Sequence, residues 1–114
     1  MTTEQYKALQ NRLSTIQSFL KIEEKRMQLK EEELKTQDPT FWDDPKKAEE
    51  KMKHIRGLKF WVETFDRTAT AVADLDVLME FVREGMAEES ELNAQYATLL
   101  NEIEELELKN MLSN

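Results

Sequence analysis

The chain has 114 residues, 35% of them charged, a formal net charge of −8 and no cysteine. That length suffices to bury a core as a single domain over residues 1–114 without covalent staples. Missing thiols exclude disulfides, thiolate metal sites and a cysteine nucleophile, and the acidic balance argues against a general nucleic-acid binder, DNA included, because displacing counterions takes clustered Lys and Arg.

The opening Met1-Thr2-Thr3-Glu4-Gln5 lacks the basic-then-apolar order of a signal peptide, and no apolar run is long enough for a membrane span. A cytoplasmic protein with no membrane partner is expected. From about Thr3, the residues Tyr6, Leu9, Leu13, Ile16 and Leu20 step by three and four, which predicts a first helix with one apolar face. Thr3 and Tyr6 make no capping box, so a frayed start is expected. Beyond Leu20 the apolar register either runs on through Met27 and Leu34 or shifts to a face with Ile22 and Leu29. A kink near Lys21 belongs to the second course. Residues 22–34 are helix formers on either course.

Gln37 to Pro45 is the break in the first half. Asp38 precedes Pro39, whose ring pushes it out of the helical region. Asp44 before Pro45 starts a helix with a mechanism. The carboxylate caps backbone N–H groups, and proline gives up a donor that had no partner. Pro39, Phe41, Trp42, Asp44 and Pro45 are therefore assigned to a structural turn. Phe41 and Trp42 are expected to fold back as a plug over the helix ends; the alternative is an exposed aromatic pair gripping a ligand or base.

A single long helix is predicted over about 45–84, roughly 60 Å at 1.5 Å per residue. One seam runs through Ile55, Leu58, Val62, Phe65, Ala69, Val72 and Met79 with a lapse at Asp76. A second runs through Trp61, Phe65, Thr68, Val72, Leu75, Met79 and Val82. A stripe that wide needs at least two partner segments. Gly57 costs the helix about 1 kcal/mol against alanine, by close backbone approach or simple tolerance. Gly85 ends the helix, and Ser90 is the candidate N-cap of the next. Leu92, Tyr96, Leu99, Ile103 and Leu106 then keep heptad spacing, and the short connection predicts an antiparallel return. The apolar Leu108, Met111 and Leu112 suggest that more chain follows.

Charge is unevenly spread. From Lys46 to Lys59 six cations (Lys46, Lys47, Lys51, Lys53, Arg56, Lys59) meet two acids, whereas from Asp74 to Glu107 Arg83 stands against eleven acids. The basic run is the candidate anion-facing patch, with Lys46, Lys47, Lys51, Lys53 and Arg56 as contact residues; pairing with Glu49, Glu50 and acids of neighbouring helices is the plainer explanation. Glu31-Glu32-Glu33 cannot converge on one ion, since consecutive helical side chains diverge, and reads as a solvated face. His54 has no second ligand or nucleophile spaced to work with it and reads as surface. Asp43 with Asp44 is a poor catalytic dyad, because capping already explains Asp44. Nothing supports an enzyme, and no catalytic, cofactor or metal residue is assigned.

The stretch Pro39-Thr40-Phe41-Trp42-Asp43-Asp44-Pro45, with Ala48, resembles the turn between two helices in the N-terminal domain of bacterial peptide chain release factor 2. Phe19-Leu20-Lys21-Ile22-Glu23 and Glu105 to Ser113 are similar to two further segments of that family at the right distances. Lys21 departs from the family's usual aspartate, which leaves the break there open. Release factor 1 is similar in architecture but lacks the tryptophan turn. The resemblance implies a ribosome-contacting part of a translation termination factor, directed toward the protein and ribosomal RNA of the large-subunit stalk base. The codon-reading tripeptide and Gly-Gly-Gln loop of the family are absent from these residues.

Together these readings predict an all-α, elongated antiparallel bundle or coiled coil of three to four helices, monomeric, without cofactor. The rival is a structural or adaptor coiled-coil module whose stripe is covered by a second copy.

Overall fold

The first helix starts on a capping box one residue earlier than the spacing suggested. In the computed structural model, which describes residues 1–112, the Thr2 hydroxyl accepts from the Gln5 backbone N–H at 3.0 Å, and the Gln5 side chain accepts from the Thr2 N–H at 2.8 Å. Two otherwise orphaned donors are satisfied reciprocally, so the expected fraying is corrected. This helix, α1, spans Thr3–Phe19. Ser113, the last position of the C-terminal family match, lies outside the described residues.

Lys21 settles the register that the sequence left open. It takes φ 51°, ψ 51°, the left-handed conformation, with no side-chain cap, and α2 follows over Ile22–Lys35. On one continuous helix Leu20 and Ile22 would point about 200° apart, yet both are buried. A single left-handed residue makes that compatible. The cost falls on the alternative register: Met27 and Leu34 stand 65% and 66% exposed, whereas Leu29 is half-buried.

A 3-10 turn over Pro39–Asp43 leads into α3, Pro45–Arg83, an unbroken helix of 39 residues. It ends on a glycine for a backbone reason. Gly85 has φ 75°, its N–H donates to the Val82 carbonyl at 3.0 Å, and the Met86 N–H donates to the Phe81 carbonyl at 2.8 Å. This is a Schellman closure, which needs a left-handed residue after the helix. Helix α4 covers Glu89–Leu112. Ser90 thus sits inside its first turn rather than at its N-cap, and Glu88 supplies the carbonyl that accepts from Glu91 and Leu92.

The four helices form an all-α fold with no strand among the described residues, and the chain divides into two compact units. One unit comprises Met1–Leu20 and the chain from Asp66 onward. Its helix directions follow from pairs far apart in sequence. The N-terminal amine of Met1 donates to Asn93 and Arg12 pairs with Glu107, so α1 and α4 run parallel. Arg83 donates to the Thr3 hydroxyl and Tyr6 to the Val72 carbonyl, so both run antiparallel to the second half of α3. Leu9, Ile16, Thr68, Val72, Leu75, Met79, Leu92, Leu99, Ile103 and Leu106 fill the interior. The wide stripe there is covered from within the chain.

The second unit, Lys21–Phe65, is an antiparallel hairpin of α2 and the first half of α3. Ile22, Ala48, Ile55, Leu58, Val62 and Phe65 are its buried side chains. Glu32, on the buried side of α2 with only 14% of its side chain exposed, accepts from Lys51 at 3.1 Å and from Lys35 at 3.0 Å. The middle glutamate of the acidic triplet is therefore a cross-helix anchor and not part of a solvated face. Gly57 has nothing within 4 Å of where a Cβ would stand, so tolerance, not close approach, explains it.

Candidate functional site

The turn between α2 and α3 is fixed at both ends by carboxylates. Asp38, extended at φ −68°, ψ 125°, accepts from the Thr40 N–H and the Thr40 hydroxyl, each at 2.9 Å. These two bonds hold its pKa below the ordinary carboxylate value, the backbone bond contributing first. Asp44 accepts from the Lys47 N–H at 3.3 Å while its own carbonyl accepts from Ala48 at 3.0 Å. Pro45 follows as the first helical residue, as the sequence implied. Ala48, one turn on, is buried; a larger residue there would push the hairpin apart.

Between these caps the aromatic pair does not form a plug. Trp42 is 56% exposed and Phe41 half-buried, with ring centroids 4.7 Å apart and planes at 79°. The expected burial of Trp42 is overturned for a geometric reason. A five-residue 3-10 turn closed at both ends turns its third and fourth side chains to different sides, so only one ring reaches cover.

The cations come next. Lys46, Lys47, Lys51, Lys53, Arg56 and Lys59 are all exposed. Of these Lys51 is paired, to Glu32; the other five make no ion pair among the described residues. Of the plainer explanation of the run, pairing with Glu49 and Glu50 is absent among the described residues, and pairing with an acid of a neighbouring helix holds for Lys51 alone. Helical spacing sets Lys46, Lys53 and Phe60 at intervals of seven on one exposed face, with Arg56 beside it. Phe60 is 46% exposed and meets Trp61 edge-to-face at 5.4 Å. Sequence reasoning missed Phe60, although its seven-residue spacing from Lys53 was visible.

Electrostatics divide sharply between the units. Lys21–Phe65 carries eleven basic and eleven acidic residues, whereas the other unit holds five basic against thirteen acidic, so it accounts for the whole net charge. His54 is exposed, as expected. Among the described residues no group of three His, Cys, Asp or Glu is placed to hold a metal ion, and no helix is long and apolar enough to cross a membrane. An open groove of about 340 Å³ between α3 and α4, lined by Ala71, Leu75, Thr98, Leu99 and Glu102 among others, brings together no acid–base pair or nucleophile.

Residues 24–114 match the family model of the PCRF domain, so all of the turn and the basic run fall inside the match. The chain belongs to the PCRF domain family. Relatives of this PCRF domain include proteins named peptide chain release factor 2. The one from Acidithiobacillus ferrooxidans is 29% identical over 107 residues, covering 92% of this chain and 29% of the relative. That from Nautilia profundicola is 31% identical over 114 residues, covering 98% and 31%. That from an Acidovorax species is 32% identical over 108 residues, covering 93% and 29%. The PCRF domain described here thus spans about three-tenths of the length of the curated relatives it matches. All of α1 and the first two residues of α2 precede the matched residues.

Proposed function

We propose that this chain is the ribosome-contacting domain of a codon-specific class I peptide chain release factor. It would act in translation termination in the cytoplasm. It contributes binding and positioning near the large-subunit stalk base, through protein and ribosomal RNA there, and no chemistry of its own. Membership of the PCRF family and relatives named peptide chain release factor 2 support the setting. The observation that carries the contact is the set of five exposed cations on the first half of α3 that no acid neutralises among the described residues. Unpaired surface Lys and Arg are held at no benefit to the fold, and phosphates are their natural counter-charge. Lys46, Lys47, Lys53 and Arg56 are the contact residues on this reading, with Lys51 partly committed to Glu32.

The test uses the factor that carries this domain. Reversing Lys46, Lys53 and Arg56 to glutamate should weaken ribosome binding by about tenfold or more and flatten its dependence on salt, because fewer counterions are released. Binding and salt slope unchanged by the triple reversal would remove this face from the contact. The adaptor reading, with a second copy covering the α3 stripe, loses its motive, since the chain's own helices bury that stripe. Sedimentation of the chain at micromolar concentration should give a monomer.

A further inference from the structure

Trp42 holds a position that the fold does not ask of it. Burying an indole is strongly favourable, yet Trp42 is 56% exposed. Looseness is not the reason. Asp38 and Asp44 close the turn with hydrogen bonds to backbone, and Phe41 braces the ring edge-to-face. The first side chains of α3 after Pro45 are Lys46 and Lys47, and no acid occupies that first turn. Positive charge there opposes the helix macrodipole, and neither lysine has an ion-pair partner among the described residues. Three local choices therefore run against stability at one corner. Of the nearby carboxylates, Asp38 and Asp44 are committed to backbone N–H groups, which leaves Asp43 as the free one.

We propose that Trp42 is a stacking platform for an unpaired nucleobase, with Lys46 and Lys47 holding the phosphates that flank it. A braced aromatic face with lysines four and five residues further on, at the start of the next helix, suits single-stranded or looped RNA, because every base offers a π-face and every linkage a negative charge. The half-buried Phe41 sets the ring's angle and does not itself stack. This inference rests on the proposed RNA-facing role of the basic run and adds to it the chemical class of what the corner recognises.

The experiment measures ribosome affinity for the factor carrying Trp42→Phe, Trp42→Leu, Trp42→Ala or the double reversal Lys46→Glu with Lys47→Glu. Thermal unfolding checks that each variant folds. Stacking predicts that phenylalanine retains affinity within about threefold, while leucine and alanine lose roughly tenfold, the order of one base–aromatic contact. A benzophenone side chain placed at position 42 should crosslink to ribosomal RNA. Leucine binding as well as tryptophan, or crosslinks to protein alone, would overturn stacking in favour of a protein pocket. If the lysine reversals weaken binding while Trp42→Ala does not, stacking fails and the basic-face reading stands. If neither set matters, both fail.

Discussion

The hydroxyl of Tyr6 donates to the carbonyl of Val72 at 3.2 Å, buried between α1 and α3. It arrives at the turn where the apolar seam of α3 lapses at Asp76. The lapse and the hydroxyl belong together, since a buried phenol needs a polar neighbour and the seam admits one there. Burial first, and the negative charge of Asp76 second, raise the Tyr6 pKa above its ordinary 10.0. Tyr6→Phe should lower stability by about 1 kcal/mol, the net value of such a bond. The pH dependence has a definite sign. A raised phenol pKa means the unfolded chain loses its proton first, so the stabilisation is intact below pH 10.0 and falls as pH rises from there toward the folded value. Urea melts at alkaline pH should show a smaller loss for Tyr6→Phe than for the parent.

The exposure of Trp42 turns a stability question into a sharp comparison. Trp42→Ala should cost less than about 1 kcal/mol, as surface changes do. Truncating the fully buried Ile22 or Ile103 to alanine should cost about 2–5 kcal/mol. Chemical denaturation of the three variants reads the contrast directly. A Trp42→Ala loss in the range of the isoleucines would mean that the ring is covered.

Lys21 sits in a conformation that disfavours any residue with a Cβ by about 1–2 kcal/mol. The aspartate usual in the family is one of the short polar residues that visit this region readily. Lys21→Gly and Lys21→Asn should therefore raise the melting temperature, and Lys21→Val should lower it. Unchanged melting in all three would mean that the break carries no strain.

Gly57 offers an opposite case, a glycine with no conformational duty. A methyl there meets nothing within 4 Å, so Gly57→Ala should stabilise by about 1 kcal/mol through helix propensity alone. Thermal unfolding followed by circular dichroism tests it, with ribosome binding expected to be unaffected.

Glu32 links the two helices of the hairpin unit. Hydrogen bonds from Lys35 and then Lys51 lower its pKa below 4.5. Its contribution is present above pH 4.5 and is lost as pH falls through the folded value. Lys51 is about half exposed, so Lys51→Met should cost less than about 1 kcal/mol and should reduce the acid sensitivity of the hairpin. A melting curve between neutral pH and pH 3 compares the two chains.

The ion pair between Arg12 and Glu107 and the burial of Ile22 were not legible along the chain. Amino-acid order determined the helical segments apart from the break at Lys21, the unbroken α3, the glycine after it and the proline turn with its Asp44 cap, because these rest on local backbone chemistry and on apolar spacing within one helix. It also carried the family, whose turn is a contiguous string of residues. The capping box at Thr2 and Gln5 was equally local and simply lay one residue earlier.

Tertiary structure alone decided three things. It chose the register after Leu20, because a left-handed Lys21 is justified only when Leu20 and Ile22 both find cover. It turned Glu32 into an anchor and left five cations unpaired, because ion pairing between helices depends on which faces meet and not on neighbours along the chain. Finally it put Trp42 in water, because the burial of a ring depends on whether its turn faces the interior, and hydrophobicity by itself does not specify that direction.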